Sequence, residues 1–319
     1  MEKDASISAT RLMAMSFIVA CHILQRFDHP LALWFNIGVQ IFFVISGFLY
    51  GNRRIDKPLA FIYKNWCKIL IPCWLFLFAT LFCFGCVGYE LPKGMKFVRI
   101  VLLSETLSGL GHLWFVSDIL FCYLMVPFLD CLKKSLARLT ERSFVANIGI
   151  IFLIIAVIGV GYRPHVKPSS IICFMIGYFL AIFQSIFGIM KGRCLECGLM
   201  IMGGGALLLR VAYEICPWNG SFGRFYLACF PYLKVGIGVS LFLVMKKFFS
   251  CSDNQVLRFS DRYSYSIYLT HHIFIMGPLS LMGSVHSSII MPFAVILSAI
   301  LLKELTDPIN KYCTRKFEH

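Results

Sequence analysis

Apolar runs long enough to cross a bilayer recur along the whole chain, separated by short polar stretches. A spanning helix needs about 20 mostly apolar residues. On that basis the pattern predicts ten helices, near 7–26, 35–51, 67–88, 112–132, 144–162, 169–190, 197–213, 230–249, 264–284 and 287–306. The expected fold is an all-α integral membrane bundle forming one domain over residues 1–319, with both termini on the same side. Both tails are short. The longest outer loop, from about Tyr89 to Gly111, is too small for an independent catalytic domain, so no fused soluble domain is expected. The first run lacks a small-x-small cleavage site, and Gln25, Arg26 and Asp28 follow it directly. It reads as a retained helix, not a signal peptide.

Composition agrees. The 319 residues are 59% hydrophobic and 14% charged, where a soluble domain carries roughly 25% charged residues. A formal net charge of +14 would suit a nucleic-acid binder, but the Lys and Arg residues cluster between apolar runs. Cytoplasmic termini put 21 of the 30 Lys and Arg residues on the inner side and nine outside, the positive-inside pattern. No nucleic-acid partner is expected. Trp34, Trp114 and Trp218 then fall at the outer interface, and Trp66 and Trp74 near the inner one. Most of the 14 cysteines lie in apolar runs, where Cys acts as a small hydrophobe. The C-x-x-C pairs Cys83/Cys86 and Cys194/Cys197 fall on opposite membrane sides and cannot form one zinc site, and no metal is expected. Gly203-Gly204-Gly205 suits close helix packing better than a hinge.

Ionisable groups inside a bilayer are costly, by about 2.5–3.5 kcal/mol on insertion scales, which makes each a candidate functional group. The short list is His22, Asp118, Arg210, His271 and His272, with Arg11, Lys64 and Lys68 at inner helix ends. Arg11 and His22 are eleven residues apart, close to three helical turns, so they share one face and lie roughly 16 Å apart along the axis. A cation at the cytoplasmic end with a deeper imidazole suits an acyl-CoA donor: charge for the phosphates, then a base near the thioester. The plainer alternative is a positive-inside anchor and a packing histidine. Phe42-Phe43-Val44-Ile45-Ser46-Gly47 allows close approach of a helix or a ligand. Lys64 and Lys68, spaced i,i+4 before Pro72, suit either a phosphate or the anionic inner leaflet. His112, Trp114 and Asp118 open the fourth helix, with Tyr123 and Pro127 below. Asp118 either supports a histidine or pairs with Arg210. Ser264-Tyr265-Ser266-Ile267-Tyr268-Leu269 leads to His271 and His272. Adjacent residues diverge by about 100°, so at most one of the two is expected to face a given site.

Together these segments resemble the membrane-bound acyltransferase-3 family. The resemblance rests on an Arg, ten residues and a His in the first helix (Arg11, His22) and on F-F-x-x-S-G in the second (Phe42 to Gly47). It continues with a basic stretch ending in Pro (Lys64 to Pro72) and H-L-W-F with downstream Tyr and Pro (His112 to Phe115, Tyr123, Pro127). The last parts are S-Y-x-x-Y-L-x-H (Ser264 to His271) and a closing acidic residue with Pro (Glu304, Pro308). It implies an O-acyltransferase that draws an acyl group, usually acetyl, from cytosolic acyl-CoA and places it on a hydroxyl of a surface polysaccharide or lipid-linked glycan. Carried over by position, His22 is the catalytic base and Arg11 a donor-site or structural cation. Phe42, Phe43, Ser46 and Gly47 would line the acyl-CoA site with Lys64 and Lys68. His112, Trp114, Asp118, Tyr123, Tyr268 and His271 would support it. The expected location is a bacterial-type inner membrane, with membrane lipid, acyl-CoA and a glycan acceptor as partners and no permanently bound cofactor. One departure is that the basic stretch usually carries Arg, whereas Lys64 and Lys68 cannot make bidentate phosphate contacts. The rival from another class is a polytopic transporter or exporter. Transporters commonly show repeated halves with broken helices, and this sequence has no internal repeat.

Overall fold

The computed structural model describes residues 5–161, 166–249 and 254–315, and these contain helices but no strand. In chain order the elements are α1 (Ala5–Arg26), the single turn α2 (Ala32–Phe35), α3 (Gly38–Gly51), α4 (Pro58–Cys86) and α5 (Gly94–Val101). A 3-10 turn (Gly111–Leu113) runs into α6 (Trp114–Leu136), followed by α7 (Glu141–Gly161), α8 (Pro168–Phe187) and α9 (Ile189–Ile215). The last three are α10 (Gly220–Phe248), α11 (Gln255–Ile275) and α12 (Val285–Arg315). Among the described residues, nine helical stretches are long and apolar enough to cross a membrane. The protein is therefore a multi-pass integral membrane protein. α11, with 21 residues, is long enough but carries Arg258, Asp261 and Arg262 on top of its hydroxyl and imidazole groups.

Four helices start well before the apolar runs suggested: α4 and α11 by nine residues, α9 by eight and α10 by ten. α4 starts at Pro58, not near 67, because Pro at a first helical position is preset for the helix and loses no needed N–H. Its 29 residues extend about 43 Å, so Lys64 and Lys68 lie inside the helix and not at its opening. Trp74 is consequently mid-helix, where its indole N–H donates to the Val101 carbonyl of α5 at 3.0 Å; it does not mark the inner interface. α11 starts at Gln255, capped by Asn254, whose Oδ1 accepts the Leu257 N–H at 2.9 Å. It ends at Ile275, just before Gly277 with φ +90°. Residues 276–284 lie outside it because that left-handed turn breaks the apolar run.

The chain divides into two compact units. One comprises Met1–Ala14, Ile37–Ile55 and Met125–Asp253. Its centre is α8 packed along α3, and glycines make the approach possible. A Cβ at Gly47 would collide with the Phe174 carbonyl oxygen, and one at Gly177 with the Val44 carbonyl oxygen. The F-F-x-x-S-G segment thus receives a helix at Gly47; Phe43 is buried, while Phe42 and Ser46 are half-buried. α10 packs on α9, where Gly203 sits against Ser240 and Gly236. Gly204 and Gly205 have open space beside them, so one glycine of the three carries the helix packing. Phe144 of α7 makes edge contacts with Phe179 and Phe183 of α8. Arg210 is buried, its guanidinium 5.1 Å from the Phe230 ring centroid.

The other unit comprises Met15–Asn36, Asp56–Leu124 and Asn254–His319. α12 packs on α4 and on α11. Ile275, Met291 and Val295 form a core cluster against Val19, Ile23 and Ile267. Polar anchors fix the register: Tyr265 donates to the Ile69 carbonyl at 2.8 Å and Trp66 to the Leu120 carbonyl at 3.1 Å. Glu304 of α12 accepts from Arg262 at 2.6 Å and from Tyr263 at 3.0 Å. This places the ends of α1 and α11 and the start of α6 around one set of imidazoles.

Candidate active site

Four histidines meet in this second unit. His22, half-buried near the end of α1, has ring centroids of His272 at 4.6 Å and His271 at 5.3 Å. His112, in the 3-10 turn, stacks on His272 at 4.6 Å with planes 21° apart and lies 5.5 Å from His271. The expectation that at most one of His271 and His272 faces a site is overturned. Their rings are 6.1 Å apart at 87°, and each lies within 5.5 Å of both the His22 and the His112 ring.

Each ring is pinned through one nitrogen. His112 Nε2–H donates to the Leu269 carbonyl at 3.0 Å, and the His112 carbonyl accepts the Tyr268 hydroxyl. His271 Nδ1–H donates to the Tyr268 carbonyl at 2.7 Å. His272 Nδ1–H donates to the Gly109 carbonyl at 2.8 Å. His22 Nδ1 is 2.8 Å from Gln25 Oε1. An amide or peptide oxygen only accepts, so each of these nitrogens carries the proton, and in a neutral imidazole the other nitrogen is then a bare acceptor. His112 Nδ1 and His271 Nε2 are buried with no hydrogen-bond partner. The cluster therefore has acceptors to offer and no donors left, an arrangement that suits a hydroxyl-bearing ligand. Among the described residues no group of His, Cys, Asp or Glu is placed to hold a metal ion.

Backbone geometry holds the cluster closed on one side. Gly109 and Gly277 both have positive φ, +80° and +90°, which glycine adopts without steric cost. A Cβ on Gly277 would sit 2.6 Å from the Gly109 Cα. The loop before the 3-10 turn can therefore press against the end of α11, which brings the Gly109 carbonyl to His272.

Of the expected site residues, His22, His112, Tyr268 and His271 come together here. Trp114 and Tyr123 are half-buried on α6, and Asp118 on the same helix is fully buried. On α4, Lys64 is half-buried and Lys68 exposed. Arg11 is half-buried on α1 and belongs to the first unit, whereas His22 belongs to the second. One participant, Gln25, is absent from the sequence-derived candidates, and His272 is among them only as one of two histidines of which a single one was expected at the site. Gln25 lies three residues after His22, a spacing at which helical side chains meet, and that spacing was the available signal.

A family model described as an acyltransferase domain, that of the acyltransferase-3 family, matches residues 4–303. The chain belongs to the acyltransferase-3 family. No curated protein and no solved structure gives a match. For an acyltransferase-3 protein, the match spans α1 through most of α12 and so includes all four clustered histidines. Membership and the apolar bundle together make this a membrane acyltransferase.

Proposed function

We propose that this protein is an O-acyltransferase that moves an acyl group, acetyl in the first instance, from cytosolic acyl-CoA to a hydroxyl of a surface polysaccharide or lipid-linked glycan. We place it in the inner membrane of a bacterial-type cell with both termini in the cytoplasm. The observation that carries the reading is the histidine cluster: His22 with its Nδ1 proton spent on Gln25, beside rings whose remaining nitrogens only accept. An acceptor hydroxyl is the kind of group such a cluster binds. His22 Nε2 takes the hydroxyl proton as the oxygen attacks the thioester carbonyl. The C–S bond then breaks and His22 returns the proton to the departing thiolate, leaving an ester and free CoA thiol. Arg11, on the same helix toward its N-terminal end, supplies fixed positive charge for the donor phosphates. Lys64 and Lys68 supply point charges of the same sign.

The test is transfer of label from [14C]acetyl-CoA into non-protein material of membranes that contain the protein. His22→Ala should lower the transfer about 10²- to 10⁴-fold, the usual contribution of a general base, with unchanged protein level and insertion. Transfer by His22→Ala at the wild-type rate would remove the mechanism. Mass spectrometry of surface glycans from cells with and without the protein identifies the acceptor.

A further inference from the structure

Three of the four imidazoles are held by backbone carbonyls: His112 by Leu269, His271 by Tyr268 and His272 by Gly109. His22 is the exception, since a side chain, Gln25, holds it. We propose that Gln25 is the positioning residue of the reaction, whose Oε1 fixes the Nδ1–H tautomer of His22 and so assigns Nε2 as the nitrogen that takes the acceptor proton. This rests on the reading of His22 as the base.

The local geometry supports it. Side chains on a helix lean toward its N-terminus, so a residue at i+3 reaches back over residue i. Gln25 belongs to the last turn of α1, and the chain beyond is tied to that turn: the Asp28 N–H donates to the Gln25 carbonyl at 3.1 Å and the His29 N–H to the Leu24 carbonyl at 2.9 Å. The amide is thus carried on a braced backbone. Among the described residues, the imidazoles nearest His22 are His271 and His272, with His112 stacked on His272. None has a second N–H left to compete for the role. A catalytic histidine is commonly oriented by a third group. An amide can fill that role, since its oxygen accepts the Nδ1–H without taking the proton.

The test uses two near-isosteric substitutions in the labelled-transfer assay. Gln25→Met keeps the length and removes the acceptor; Gln25→Glu keeps an acceptor oxygen. Gln25→Met should lower kcat by about tenfold or more, the consequence of presenting the wrong tautomer, with an unchanged KM for acetyl-CoA and an unchanged thermal midpoint. Gln25→Glu should retain most of the wild-type kcat. Activity of Gln25→Met within twofold of wild type would overturn the proposal, as would a Gln25→Glu variant as impaired as Gln25→Met. A second readout needs no turnover. In ring-15N-labelled protein, the His22 signals, identified by difference from His22→Ala, should report one Nδ1-protonated tautomer in wild type and a mixture in Gln25→Met. A mixture already present in wild type sinks the idea. Wild-type membranes that transfer no acetyl group would refute the proposed activity, while the tautomer measurement would still decide on Gln25.

Discussion

The side chains of this site are ordered by what each imidazole has already given away. Tyr268 shows how much of that order is built from single contacts. Its hydroxyl serves the His112 carbonyl and its own carbonyl serves His271. Tyr268→Phe removes the first and leaves the second. The His112 carbonyl keeps the Trp114 N–H, so the loss is that of one buried hydrogen bond, about 0.5–1.5 kcal/mol; stability to unfolding in detergent should fall by that margin, with the His271 contact retained. His22, His112 and His271 were legible in the sequence because polar groups in apolar runs stand out. His272 stands out for the same reason, but its joining His271 at one site was not legible, because the angular rule for neighbouring residues describes one helix alone, whereas His22 and His112 come from other elements and meet both rings at once. Gln25 is uncharged and sits where the apolar run ends, so nothing in hydropathy marks it.

Helices behave differently according to which glycine a neighbour needs. Gly47 and Gly177 interlock α3 with α8, and a side chain at either would strike a carbonyl oxygen. Gly47→Val and Gly177→Val should each destabilise the protein by about 1–3 kcal/mol or more, the overpacking range. Gly204→Ala, with nothing within 4 Å of the new Cβ, should be neutral or slightly stabilising. Thermal midpoints in one detergent check all three. Sequence placed both helices correctly but could not say what Gly47 receives, since close approach of a helix and of a ligand leave the same signature. Helix ends were the weakest part. Pro58 and Asn254 start α4 and α11 through local backbone chemistry, in polar stretches that a hydropathy window passes over.

For the whole molecule, the class of fold followed from spanning-length apolar runs, and the family model agrees over nearly the entire chain. The charge distribution is the ground for proposing cytoplasmic termini, and cysteine labelling can test it. Cys86, at the end of α4, and Cys194, in the second turn of α9, are both exposed. With cytoplasmic termini, an impermeant maleimide added to intact cells should modify a variant retaining only Cys86 and spare one retaining only Cys194; the reverse result would invert the topology. The polarity of α11 has a consequence for biogenesis. A helix that carries Arg258, Asp261, Arg262, His271 and His272 partitions poorly into lipid unaided, and α12 is the neighbour it packs against most. Its retention in the bilayer is therefore expected to depend on α12, so a substitution that weakens the α11–α12 contact should lower the amount of inserted protein before it disturbs any other span.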